Sequence, residues 1–169
     1  KKVDPAELYL ADVLKLHDYL AKKGYTMMIW ADMLQSASAY KTVSAIERIP
    51  KDIVLLDFIW YFHLDKNIEE NLTRYGFNVI FGNMYSSHFP RYEERIRGNN
   101  ISGGQLSAWV STNEKKLQRE GKLYDFIYTS EMLWSEKYLS ECRPAHDRII
   151  RALHPKLRAS VQGKSLASG

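Results

Sequence analysis

The sequence predicts an α/β fold built from parallel βα units, and three observations predict it. Apolar runs recur roughly every two dozen residues, at "YTMMIW" (25–30), "IVLLDFIW" (53–60), "FNVIFGN" (77–83) and "ISGGQLSAW" (101–109). Helical patterns or turn signals separate them, the rhythm of βα units around a parallel sheet. The runs are continuously apolar rather than alternating, as strands buried on both faces should be.

The first helix is the clearest element. Asp4 can cap it, Pro5 suits the first helical position, and Glu7 stands where a capping-box partner belongs. Leu10, Val13, Leu14, His17 and Leu20 follow at helical spacing, with His17 expected on the buried side, and Gly24 after Lys22-Lys23 is the stop. The first strand begins directly after it. A "RIPKD" turn introduces the second, and "NIEENLTRYG" (67–76) reads as a helix closing on Gly76 before the third. "RYEERIRG" (91–98) reads as a helix ending at Gly98 before the fourth strand, where Gly103-Gly104 predicts a tight backbone approach. Beyond Trp109 the chain turns helical, with one or two helices in "NEKKLQREGKLYDFIYTSEMLWSEKYLSE" and another in "PAHDRIIRALHPKL". Glu131 and Trp134 are expected to tie the late helix to the rest of the fold. The reading is one α/β domain over 1–155, followed by a small, polar tail over 156–169.

Composition narrows the function classes. Of 169 residues, 45% are hydrophobic and 26% charged, an ordinary globular profile. Net charge is +4, but acids and bases interleave in "RYEERIRGNN" and "NEKKLQREGK", which predicts solvated helical surfaces rather than a nucleic-acid stripe. No run of eighteen apolar residues is present, so no membrane span is expected. Cys142 is the single cysteine, which excludes an internal disulfide framework and leaves the compartment unknown. Histidines 17, 63, 88, 146 and 154 lack metal-ligand spacing, and no metal or cofactor is expected. Ser86-Ser87-His88 lacks the G-x-S-x-G setting of a serine nucleophile. Asp57, inside "LLDFI", needs a partner if buried: it faces the interior near the site or pairs with a base. The start at Lys1-Lys2 rather than Met is compatible with a piece of a longer protein.

The four strand ends carry the chemistry. The first offers Trp30 and Asp32, the second Trp60, Tyr61 and His63, the third Asn83 and Tyr85, the fourth Gln105 and Trp109. In a parallel barrel the C-terminal strand ends and following loops form the functional face. Aromatic rings with a few polar groups suit the apolar face and hydroxyl rim of a sugar.

The stretches "LAKKGYTMMIWADML", "VIFGNMY", "GGQLSAW" and "YTSEMLWSEKY", in that order and spacing, resemble the C-terminal half of the catalytic (β/α)8 barrel of family 20 glycoside hydrolases, the β-N-acetylhexosaminidases. The resemblance covers most of residues 4–140 and implies half of a TIM barrel, strands five to eight, followed by C-terminal helices. It implies a pocket for a terminal N-acetylhexosamine walled by Trp30, Trp60 and Trp109. Tyr85 would be the catalytic hydrogen-bond partner of the acetamido carbonyl, whose oxygen is the nucleophile in a substrate-assisted retaining mechanism. Asp32, Asn83 and Gln105 would complete the substrate contacts. The Asp-Glu pair containing the general acid would lie upstream, so this chain alone should not turn over substrate.

Departures from the family pattern bear on hexosamine specificity. Ser87 and Ser111 stand where family members usually carry acids, and "GGQ" replaces the usual "GGE". Asn113, Glu114 or His88 are the nearby candidates for the lost rim contacts. Two alternatives follow: a sugar-binding relative without hydrolysis, and an unrelated flavodoxin-like domain whose aromatics stack on a flat cofactor. A half barrel leaves bare sheet edges and an uncovered apolar face, so the missing N-terminal half or self-association is the expected partner.

Overall fold

The computed structural model describes residues 3–35, 41–58, 67–85, 89–98, 100–109, 113–119 and 121–134. The helix expected in "PAHDRIIRALHPKL" and the polar tail over 156–169 lie outside them. The chain packs as two compact units, Lys1–Asn83 with Glu94–Gln105, and Met84–Glu93 with Leu106–Gly169.

The first unit opens with helix α1 (Pro5–Ala21). Asp4 caps it, accepting a 2.9 Å hydrogen bond from the Ala6 amide, with Pro5 at the head of the helix. Gly24, at φ +75°, supplies the left-handed conformation that lets the chain leave. Ala6, Leu10 and Val13 are its buried face, while Leu14, His17 and Leu20 are half-buried. The capping box does not form as expected. The Glu7 carboxylate accepts from Arg48 instead, an ion pair between partners forty-one positions apart. His17 lies on the buried side as expected, half-buried, and its Nε2 faces both carboxylate oxygens of exposed Asp52 at 3.0 and 3.1 Å, tying α1 to the turn before the second strand. This hydrogen bond holds the Asp52 carboxyl below its usual range.

The sheet comprises β1 (Met28–Trp30), β2 (Val54–Leu56), β3 (Val79–Phe81) and β4 (Ile101–Gly104), all parallel, in the order β1-β2-β3-β4. The α/β class and the parallel βα rhythm therefore hold. Each strand is shorter than its apolar run, but backbone pairing continues past the strand ends: Ala31 N–H donates to Leu56 O at 2.8 Å, Asp57 N–H to Ile80 O at 3.0 Å, and Gln105 N–H to Phe81 O at 2.7 Å. Two 3₁₀ segments, Asp32–Leu34 and Val43–Glu47, lie between β1 and β2. Helices α2 (Ile68–Arg74) and α3 (Phe89–Arg95) lie in the next two connections. Gly76 ends the α2 turn at φ +86°.

Register and burial distinguish the two faces of the sheet. Leu55 pairs with Val79, and Val79 with Ile101, so these share one face. Leu55, Val79 and Phe81 on that side are completely buried. On the other side Met28 is 51% exposed and Trp30, Val54 and Ile80 are half-buried, while Leu56, paired with Trp30 and Ile80, is buried. The glycine pair behaves differently from expectation. Gly103 sits inside β4 at φ +143° with open space where a Cβ would be, beside a register shift at Val79/Ile80. Glycine there permits an irregular strand rather than a close approach.

In the second unit, α4 (Glu114–Arg119) and α5 (Lys122–Trp134) pack together. Tyr92, Tyr128 and Met132 are buried, whereas Trp134 is 88% exposed and does not tie α5 down as expected. Among the described residues no helix is long and apolar enough to cross a membrane.

Candidate functional site

In the first unit the C-terminal edge of the sheet carries an aromatic ledge. Trp30, the last residue of β1, meets Phe58 edge to face, with centroids 5.4 Å apart and planes at 77°. Such a pair adds about 0.5–1.5 kcal/mol beyond the area it buries. Gly82 makes room for the ring. A Cβ there would stand 2.5 Å from Trp30 Cζ3 and within the envelope of the Asp57 carbonyl oxygen. Asp57 is resolved as interior, 1% exposed, with Oδ1 accepting the Gly82 amide hydrogen. A buried carboxylate thus straps the exit of β2 to that of β3, the hydrogen-bonded placement such a group requires.

Asn83 follows directly and is buried, whereas the Gln105 side chain is exposed, the residue's backbone N–H donating to Phe81 O. Asp32 begins the first 3₁₀ segment and is half-buried, near enough to Tyr9 of α1 for its charge to act there. Burial first, then the Asp32 carboxylate, pushes the Tyr9 phenol up from 10.0 to about 12.

A pH dependence follows. The unfolded chain releases the Tyr9 proton near its ordinary value while the folded chain keeps it, so the folded state binds more protons between pH 10.0 and about 12. Stability due to Tyr9 is full below that window and is lost as pH rises through it. Thermal melts from neutral to alkaline pH should show a shallower loss for Tyr9→Phe than for the unaltered chain; identical slopes would refute the assignment.

In the second unit, Tyr85 is half-buried beneath a cation. Lys122 Nζ lies 4.5 Å from the Tyr85 ring centroid and 3.2 Å from Asp125 Oδ2. Lys122 and Asp125 are both buried. A desolvated cation over an aromatic face contributes up to about 2 kcal/mol and fixes the plane of the ring. The carboxylate also offsets an unfavourable cation at the start of α5. Trp109 belongs to this unit too, and its side chain is 71% exposed rather than walled into a cavity.

The first unit therefore holds Trp30 against Gly82, with Asn83 buried next along the chain and the Gln105 backbone bonded to the neighbouring strand. Tyr85 and Trp109 belong to the second. Trp60, Tyr61, His63, Ser86, Ser87, His88 and Ser111 lie outside the described residues. Sequence reasoning missed Phe58, Gly82, Lys122 and Asp125. A glycine within a strand pattern signals close approach, and the Lys122–Asp125 spacing is a helical i,i+3 pair, so two of these signals were present. Among the described residues no group of three or more His, Cys, Asp or Glu side chains is placed to hold a metal. No protein-family model matches the chain, and no curated protein matches it closely enough to count as a relative.

Proposed function

We propose that this chain is the C-terminal part of the catalytic barrel of a family-20-like glycoside hydrolase acting on terminal N-acetylhexosamine residues. The observation that carries the reading is the aromatic ledge of Trp30 and Phe58 at the C-terminal edge of a parallel sheet whose four strands run in sequence order. That edge is where barrel enzymes hold substrate, and half-buried Trp30, backed by buried Phe58, offers its ring to the apolar face of a pyranose. Gln105, exposed, supplies a polar side chain at the same edge, whereas Asn83 is buried there. A doubly wound domain instead forms its ligand crevice where strand order reverses, and these four strands contain no reversal.

The uneven burial supports an incomplete barrel. Met28, Val54 and Ile80 line the half-open face, as residues of a barrel interior would when its other half is absent. Leu8 and Tyr19 are exposed on α1, opposite its buried stripe, with exposed Leu16 on the flank. The bare sheet edges of a half barrel call for a partner, and the upstream half barrel or a second copy supplies it.

In this reading Tyr85 hydrogen-bonds the substrate's acetamido group, whose carbonyl oxygen attacks the anomeric carbon as the glycosidic bond breaks. The leaving oxygen takes its proton from the upstream general acid. Water then opens the cyclic intermediate with net retention. Lys122, over the Tyr85 ring, sets the plane in which the phenol lies.

The test is chromophore release from 4-nitrophenyl N-acetyl-β-D-glucosaminide by the intact parent and by this chain alone. Release by the parent only is the expected result. Binding of N-acetylglucosamine without hydrolysis by the parent would establish the non-hydrolytic relative instead, and neither activity would overturn the carbohydrate reading.

A further inference from the structure

We propose that the cavity between the 3₁₀ segment Val43–Glu47 and helix α2 binds a small monocarboxylate with an apolar body. It encloses about 210 Å³, and neither Trp30, Asp32, Asn83 nor Gln105 lines it, so the proposal is independent of the carbohydrate reading. The volume is below the ~300–1,000 Å³ of sites for drug-sized ligands and equals the share of roughly seven liquid waters. A single ring or short chain fits that space.

The lining specifies the chemistry. Val43, Ile46 and Leu72 supply apolar wall, the last two themselves buried. Gln35 lines the same cavity at 7% exposure, and its buried Nε2 has no hydrogen-bond partner among the described residues. An unsatisfied buried donor costs on the order of 1–3 kcal/mol, so this amide calls for an acceptor. Asn71 adds a second side-chain amide. Arg74, exposed at the end of α2, adds a guanidinium that makes no ion pair among the described residues. Among the described residues no Asp or Glu lines the cavity. Amide donors, one uncompensated cation and apolar wall are complementary to a carboxylate on a small hydrocarbon body, and the planar guanidinium matches a carboxylate with two parallel hydrogen bonds.

Titration of the full chain with sodium benzoate, followed through the Gln35 side-chain amide resonances, tests this. Benzoate should shift them saturably and raise the melting temperature, whereas benzyl alcohol should do neither. Arg74→Ala, a change at an exposed position, should weaken benzoate binding about tenfold, the equivalent of one charge-assisted hydrogen bond. Gln35→Met, which keeps the volume and removes the amide, should weaken it as well while leaving the fold intact. No saturable shift at millimolar benzoate would overturn the proposal. So would equal shifts with benzyl alcohol, or benzoate affinity unchanged in Arg74→Ala.

Discussion

Gly82→Ala is expected to lower the stability of the chain by about 3 kcal/mol, the upper end for overpacking substitutions. The reason is steric, and two obstacles act together. The added methyl would meet the Asp57 carbonyl oxygen, a backbone atom that cannot swing aside, and would lie 2.5 Å from Trp30 Cζ3. The Trp30 ring is itself held edge-on by Phe58. Relief requires the exits of β2 and β3 to separate, which breaks the bond from Gly82 N–H to the Asp57 carboxylate and leaves a buried charge undersatisfied. Urea denaturation of the chain measures the loss. Gly82→Ala should cost less in a Trp30→Ala background, where one of the two obstacles is already gone, and a double-mutant cycle isolates that coupling. A loss under about 0.5 kcal/mol, the ordinary surface range, would mean that the ring does not lie over Gly82.

The contrast between Gly82 and β2 shows what was legible in the sequence. Continuous apolar runs placed all four strands, because burial of both faces leaves a local compositional trace. Asp4, Pro5 and Gly24 marked the ends of α1 for a similar reason: capping and left-handed turns act over a few residues. Glu7 shows where local reasoning stops. Its spacing satisfies a capping box, yet its carboxylate meets Arg48, forty-one positions away. The strap from Asp57 to Gly82 and the cover of Lys122 over Tyr85 are likewise long-range, joining residues twenty-five and thirty-seven positions apart. No periodicity encodes such pairs. Trp30, Asn83 and Gln105 were legible as aromatic and polar residue types at strand ends. The supports that orient those side chains were not, because they are properties of packing.

On the proposed hydrolase reading, Tyr85→Phe in a protein carrying the full barrel is expected to lower kcat on N-acetylglucosaminides about 10²–10³-fold, the usual effect of deleting one hydrogen-bond donor that acts in the transition state. KM should change little if the hydroxyl binds the acetamido oxygen more strongly as that oxygen becomes a nucleophile. Binding shared equally by ground state and transition state would raise KM instead. Phenylalanine is the informative replacement because of Lys122. The ammonium lies 4.5 Å from the Tyr85 ring centroid, and a phenyl ring keeps a cation–π face while losing only the hydroxyl. The melting temperature of Tyr85→Phe should therefore stay near that of the unaltered protein. Tyr85→Ala removes both functions, exposes a buried cation whose remaining counterion is Asp125, and should lower kcat and stability together. Comparing the two variants separates the hydroxyl's chemistry from the ring's packing. Equal kcat in Tyr85→Phe and the unaltered parent would remove Tyr85 from the catalytic role and leave it as the platform on which Lys122 and the start of α5 rest.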